Sequence, residues 1–258
     1  MNENNLIEYY NKFNEDKRFN SRHGKIEYIT SLKYIYKYLN KMENPKILDI
    51  GAGTGKYSIK LADDGYDVTA LELVKHNLRV IEKNSAKVKT YLGNAIDLSV
   101  FNDNSFDLVL LFGPMYHLIS DNDKIKALNE AKRVVKKDGI IMVAYIMNEY
   151  AILTYGFKEN NIKKSIDNKL VDSNFHIIPK EKDLYSYVRL KDINRYNKIV
   201  NLKRIKILTP DGPANYIRPI LNKMDDETFD LFIKYHLKTC ENKELLGAAA
   251  HILDILKK

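Results

Sequence analysis

The stretch "KILDIGAGTGKYS", residues 46–58, places three glycines in five positions directly after an apolar run. "KILDI" reads as a short buried strand. A helix follows from about Lys56 to Asp63 and closes at Gly65, a residue suited to a helix C-terminus. A strand, a glycine loop and a helix present backbone N–H groups and a helix N-terminus at the carboxyl edge of a parallel sheet, where ligands of such sheets bind. Dinucleotide loops space their glycines G-x-G-x-x-G; here Gly51, Gly53 and Gly55 give G-x-G-x-G. Asp49 stands two residues before the loop. A carboxylate there repels a pyrophosphate and attracts an ammonium. The loop therefore suits a nucleoside that carries a positive charge and no phosphate.

Working toward the C-terminus, "DVTALEL" reads as the next strand and ends near Glu72, 21 positions after Gly51. In this architecture an acid at that distance accepts hydrogen bonds from ribose hydroxyls. A ligand with a ribose and a cationic arm is S-adenosylmethionine. "LVKHNLRVIEKNS" then reads as a helix, "VKTYLGNA" as a third strand and "FDLVLLF" as a fourth, whose continuous apolar run fits a strand covered on both faces. "SDNDKIKALNEAKRVVKKDG" predicts a helix capped by Ser120 or Asp121, with Ile125, Leu128, Ala131 and Val135 on one face. Asp138-Gly139 is expected to turn the chain into a fifth strand, "IIMVAYI". Strict alternation of strand and helix up to Ile146 predicts an α/β fold, a parallel sheet with helices on both faces and right-handed crossovers.

Outside this region the pattern loosens. Residues 5–42 read as helix, with Ile26, Ile29, Leu32, Ile35 and Leu39 near helical spacing, until Asn44-Pro45 breaks it. Residues 149–186 are mixed, with a helix expected near Asn160 to Asp172. "LKDINRYNKI" reads as helix and "LKRIKIL" as strand. "TPDGP", Thr209 to Pro213, is a turn cluster. Residues 225–240 form a helix striped by Phe229, Phe232, Ile233, Leu237 and Cys240, and "HILDILK" suits a final strand. With no linker or repeat, residues 1–258 read as a single domain: N-terminal helices over 1–44, a core over 45–148, and insertions over 149–186 and 209–246.

Composition bounds the function. The hydrophobic fraction of 45% and charged fraction of 29% are those of a globular protein. No apolar run reaches bilayer-spanning length, the N-terminus shows no signal core, and a lone cysteine, Cys240, forms no internal disulfide, so a cytoplasmic location and no membrane association are expected. The net charge of +8 invites a nucleic-acid reading, but it comes from 34 Lys and only 8 Arg. Arg is the usual bidentate reader of phosphates and base edges. A solvated lysine-rich surface is the expectation, and nucleic acid is not an expected partner.

"ILDIGAGTG", "ALEL" with Glu72, "LGNAIDL", "FDLVLLFGPMYHL" and "EAKRVVKKDGIIMVAYI" follow one another across residues 45–146 in the order and spacing of a known family. The chain resembles the class I S-adenosylmethionine-dependent methyltransferases. "SRHGKIEYIT" and "ELLGAAAHILDILKK" are similar to a bacterial subgroup in which "GPMYHL" follows the fourth strand. The resemblance implies a Rossmann-like, doubly wound seven-stranded sheet whose last strand is antiparallel and slots between the fifth and sixth, with the insertions as helical caps. By position it implies that Gly51, Ala52, Gly53 and Gly55 wrap the methionine part of the cofactor and that Asp49 holds its ammonium. Glu72 would bind the ribose, Leu73 would lie beside the adenine, and Asn94, Ala95 and Ile96 would form the adenine edge. Leu111, Phe112 and Gly113 would pass under the cofactor. Asn94 stands where many relatives carry Asp, and "KKDG" replaces a commoner K-P-G-G.

The expected activity is methyl transfer to the oxygen or nitrogen of a small-molecule acceptor by in-line displacement. The alternatives are an RNA or protein methyltransferase and a non-catalytic S-adenosylmethionine-binding protein. No metal-ligand cluster is visible, and none is required, because the leaving group is neutral. A hydroxyl or protonated amine acceptor needs a base. His117 in "PMYHL" is the candidate, with helix capping or packing under the cofactor as its other reading. Tyr116 reads as packing or as a polar contact. Arg22 and His23 in "SRHG" read either as closing over the cofactor or as a surface helix end. His236 reads as a structural histidine. The aromatics of the insertions suit an aromatic or partly apolar acceptor, or form the insertions' own small core.

Overall fold

Seven strands run through the computed structural model, which describes residues 3–12 and 21–258. They are β1 (Lys46–Ile50), β2 (Asp67–Glu72), β3 (Lys89–Leu92), β4 (Phe106–Leu111), β5 (Val135–Ile146), β6 (Lys203–Leu208) and β7 (His251–Lys257). They form one sheet in the order β3-β2-β1-β4-β5-β7-β6. The first five pair in parallel, and β7 pairs antiparallel with both β5 and β6. The expected Rossmann-like sheet with an antiparallel last strand is the observed one.

The helices in chain order are α1 (Glu3–Lys12), α2 (Arg22–Leu39), α3 (Lys56–Asp63), α4 (Lys75–Asn84), α5 (Pro114–His117) and α6 (Asp121–Val134), followed by α7 (Asn148–Ala151), α8 (Ile162–Asp167), α9 (Leu190–Val200), α10 (Arg218–Leu221) and α11 (Asp226–Thr239). Of the helix expected over 5–42, residues 13–20 lie outside the described residues, and α2 begins afresh at Ser21, whose Oγ accepts from the Gly24 amide at 3.3 Å. Capping by serine satisfies one of the amides that a helix start leaves open.

Alternate strand residues feed two cores. Leu48, Val109, Ile141 and Ile252 pack with Leu128 and Ala131 of α6 and Ile193 of α9 on one face. Ile47, Leu108, Met142 and Leu253 pack with Ile35 and Leu39 of α2 and Leu61 of α3 on the other. Full burial of each such Leu, Ile, Val or Met side chain stabilises by about 1.5–3 kcal/mol. In α6 the buried stripe is Ala127, Leu128, Ala131 and Val134 with Lys124, while Val135 already belongs to β5.

Two local expectations are corrected. Lys136 to Gly139 do not turn into β5 but form its bulged first stretch, with a register shift opposite Phe106 and Leu108. Gly139 is required there, because a Cβ would lie 2.8 Å from the Asp107 carbonyl oxygen. The helix expected near 160–172 is shorter, α8, and follows a π-helical turn at Ile152–Lys158. The aromatics of residues 209–246 do form a small core: Phe229, Leu221 and Ala214 bury Ile26 of α2. On the 149–186 segment, by contrast, Tyr155 and Phe157 are exposed.

Asp254 sits fully buried in β7 and accepts from Arg204 Nε of β6 at 2.6 Å and Nη2 at 2.9 Å, and from Asn197 Nδ2 of α9 at 2.7 Å. Removing one partner of such a pair leaves the other charge uncompensated. Asp254→Ala is expected to lower the unfolding free energy by about 3–5 kcal/mol in urea titrations; a loss within error of zero would show that this pair does not hold β6 to β7.

Candidate functional site

The carboxyl edge of β1 and β4 is built by two loops that touch. Gly51, Gly53 and Gly55 all have positive φ, +70°, +57° and +86°. A Cβ on Gly51 would lie 2.7 Å from the Pro114 ring, and one on Gly113 would lie 3.1 Å from the Gly51 carbonyl oxygen. Side chains at either position would therefore force the loops apart, so the glycines let a backbone-walled cradle form. Gly55 caps α3 and faces Ile81.

Two acids point into this cradle. Asp49, 2% exposed, accepts from Ser58 Oγ of α3 at 2.6 Å. Burial pushes its pKa up to about 6, with the nearby Glu72 charge adding to the rise and the Ser58 bond opposing it. Glu72 closes β2, its Oε2 accepting from the Gly53 amide at 2.8 Å and its Oε1 from the Val74 amide at 2.9 Å. Burial raises its pKa as well, against the pull of those amides. The Asn77 side chain and the Leu73 amide also hydrogen-bond to Glu72, and the Ser58 amide to Asp49. The floor is thus negative, poorly solvated and built for a cation with hydroxyl donors beside it.

The cleft above holds about 1130 Å³ of empty space, its open mouth included. Asp49, Gly51, Ala52, Gly53, Glu72, Leu73, Asn94, Ala95, Phe112, Gly113 and His117 all line it. Three expected residues do not. Gly55 works as the α3 cap, Leu111 is fully buried in the sheet core, and Ile96 turns back to pack against that core. Asn94 Oδ1 accepts from the Ile96 amide at 3.2 Å, so part of its accepting capacity shapes its own turn.

His117, the candidate base, is held at both ring nitrogens. Its Nδ1 lies 2.8 Å from the Leu184 carbonyl oxygen, which can only accept, so Nδ1 carries the proton. Its Nε2 then accepts from the Tyr10 hydroxyl of α1 at 2.7 Å. Burial lowers its pKa to about 4, against the Leu184 bond. Both nitrogens are engaged, and the ring packs edge-on against Tyr10 and Tyr116 and tilted against Tyr185. Arg22 reaches away from the cleft to the Leu221 and Asp225 carbonyls and to Asp226, pinning α2 to α10 and α11. His236 is buried with Nε2 donating to the Pro210 carbonyl at 3.1 Å, a structural contact.

Several residues escaped sequence reading. Lys124, at a buried position of α6, donates to the Leu118 carbonyl and to Ser186 Oγ, and so ties "GPMYHL" to the 184–188 segment. Burial lowers its pKa to about 8. Tyr10 enters the cleft from α1. Asp211 and His251 meet at 2.6 Å, with Glu27 close by, and His251 and Glu27 line the cleft. No local pattern marks these pairs, whose members are far apart in the chain.

Residues 48–143 match the family described as "Methyltransferase domain". Over those residues the chain is similar to methyltransferase domains. The chain is 37% identical over 111 residues to the demethylmenaquinone methyltransferase of Renibacterium salmoninarum, covering 43% of this chain and 44% of that protein. It is 29% identical over 204 residues to the malonyl-[acyl-carrier protein] O-methyltransferase of Buchnera aphidicola, covering 69% and 80%. The chain spans about half the length of several curated relatives it matches. A SAM-dependent methyltransferase structure from Methanosarcina mazei superposes with a TM-score of 0.58 at 18% identity, over 87% of this chain and 96% of that one, which shows the shared fold of the methyltransferase domain.

The Asp49–Ser58 bond makes a prediction with a sign. Folding raises the Asp49 pKa from its usual value near 4 to about 6, so the folded chain loses stability as pH rises through that window and bears the full cost above it. Ser58 partly offsets the cost of the ionised form. Ser58→Ala is expected to destabilise by about 1–3 kcal/mol at pH 8 and by clearly less at pH 5. Equal losses at both pH values in chemical denaturation would remove the Asp49 charge from the explanation.

Proposed function

We propose that this protein is an S-adenosylmethionine-dependent methyltransferase that acts on a small-molecule acceptor through oxygen or nitrogen. The observation that carries the reading is the buried acid pair, Asp49 and Glu72, set against a glycine loop that excludes side chains. Asp49 takes the ammonium of the cofactor and Glu72 its ribose hydroxyls. Leu73, Asn94 and Ala95 form the adenine end, and Gly51 to Gly53 with Phe112 and Gly113 wrap the middle. When bound, the cofactor supplies an electrophilic methyl group on a neutral leaving group. What remains for the chain is to orient the acceptor, exclude water and remove a proton.

The acceptor end supports a small molecule. Leu6 and Tyr10 of α1, Tyr116, His117 and Pro210 surround it. The Tyr10–His117–Leu184 relay joins α1 to the 149–186 insertion across the mouth. In this reading His117 holds Tyr10 in place, and the N-terminal helices and insertions act as the cap. Both relatives named above carry small-molecule or carrier-bound acyl acceptors in their names. Salt-sensitive submicromolar binding of tRNA or ribosomal RNA in a gel shift would overturn the small-molecule reading.

Calorimetry is expected to detect S-adenosylhomocysteine and S-adenosylmethionine binding and none for NAD, because Asp49 disfavours a phosphate at the loop. Glu72→Ala should weaken cofactor binding by about 1–3 kcal/mol in a folded variant; an unchanged dissociation constant would take Glu72 out of the site. Asp49 is protonated below about pH 6, and a neutral carboxyl cannot pair with an ammonium. Affinity is therefore expected to fall about tenfold per pH unit below that point. Asp49→Asn should bind weakly and without this slope, and a wild-type affinity that is flat from pH 5 to 8 would refute the pairing.

A further inference from the structure

We propose that His251, oriented by Asp211, is the general base that takes the acceptor's proton. The inference rests on the methyltransferase reading above and names the group that the His117 geometry leaves missing.

The placement follows from topology. Because β7 runs antiparallel to β5, its first residue lies at the carboxyl edge of the parallel strands, with His251 opposite Ile146. His251 and Leu253 line the same cleft as Asp49 and Tyr10. A parallel last strand would put its first residue at the opposite edge.

The orientation follows from Asp211. Its carboxylate is fully buried in the "TPDGP" turn. It accepts from His251 Nδ1 at 2.6 Å, from the His251 amide at 3.2 Å, from Thr209 Oγ1 at 3.2 Å and from Asn215 Nδ2. Those four donors match the accepting capacity of a carboxylate, roughly four lone pairs. A metal ion bridging Glu27, Asp211 and His251, whose ligand atoms lie within 4.8 Å of one another, would have to displace one of them. Burial alone would raise the Asp211 pKa, but the charge and bonds of His251 outweigh it and hold the acid below its usual range. An ionised Asp211 on Nδ1 fixes the tautomer, so the basic lone pair is on Nε2. Glu27 of α2 also lines the cleft, with a carboxylate oxygen within 4.8 Å of the Asp211 and His251 ligand atoms. Behind Asp211 stand His236 of α11 and the phenols of Tyr150 and Tyr216, the other titratable groups coupled to this acid.

The step balances. The acceptor's O–H or N–H bond breaks and its proton passes to Nε2. The acceptor's electron pair forms the bond to the methyl carbon, and the carbon–sulfur pair stays on sulfur, leaving a neutral thioether. The imidazolium is stabilised by Asp211 and later gives its proton to water. Asp211 touches no substrate and is a positioning residue.

The test uses the full chain labelled with ¹⁵N-histidine. With S-adenosylhomocysteine bound, NMR is expected to show His251 protonated on Nδ1 at neutral pH. Its titration should move down by at least about one unit in Asp211→Asn. Because that variant removes a buried acceptor, His251→Gln is the second arm. It should bind S-adenosylhomocysteine within twofold of wild type by calorimetry. Its turnover, with acceptors drawn from a panel of hydroxyl and amine compounds, should fall roughly 10²–10⁴-fold. An Nε2-protonated ring, full turnover of His251→Gln, or a stoichiometric divalent metal on the purified protein that is lost in that variant would overturn the proposal. Failure of wild type to bind S-adenosylhomocysteine would instead sink the methyltransferase reading, while the NMR tautomer would still report on the His251–Asp211 pair.

Discussion

The contact between the Gly51 and Gly113 loops is the constraint around which the rest of the site is arranged. β1 and β4 are neighbours in register, Ile50 against Leu111, so whatever follows each strand emerges side by side. With backbone against backbone there, the cleft above the sheet is lined by Asp49 and Glu72 as well as by the two loops. Neither loop can change sequence alone. A side chain on Gly51 meets Pro114, and one on Gly113 meets Gly51. The acids depend on that closure too, because burial between the loops is what lifts the Asp49 pKa and makes the carboxylate responsive to a cation.

The region from Lys46 to Ile146 was legible in the sequence because its signals are local. Apolar runs mark the strands, glycines mark the turns, and Asp49 and Glu72 sit at fixed offsets from Gly51. Ten of the expected cofactor residues meet in one cleft for that reason. Gly55, Leu111 and Ile96 were assigned by position alone, and the structure uses them for capping and core instead. The start of β5 was misread because Asp-Gly is a turn signal, whereas a bulge needs the same glycine for a different reason, close approach to the Asp107 carbonyl.

What the sequence did not disclose is pairing at long range. Tyr10 and His117 are 107 residues apart, and Asp211 and His251 are 40. His117 looked like a base because it follows β4. Whether a histidine can act as one depends on what its two nitrogens touch, and both partners come from outside the core. Lys124 shows the same limit. On an amphipathic helix a lysine reads as solvated, and only the fold shows that the carbonyl of Leu118 and the hydroxyl of Ser186 replace water around it.

The insertion of β7 between β5 and β6 has a consequence for the order of assembly. Until residues 251–257 have left the ribosome, β5 and β6 each expose an unpaired edge, and Arg204 has no Asp254 to meet. Open edges of this kind are templates for wrong pairing. The glycine cradle, made wholly of earlier residues, can close before then, whereas the wall that carries His251 cannot. A nascent chain therefore completes the proposed cofactor cradle before it gains the group proposed to activate an acceptor, and the last strand to enter the sheet completes both the β-sheet and the wall of the cleft.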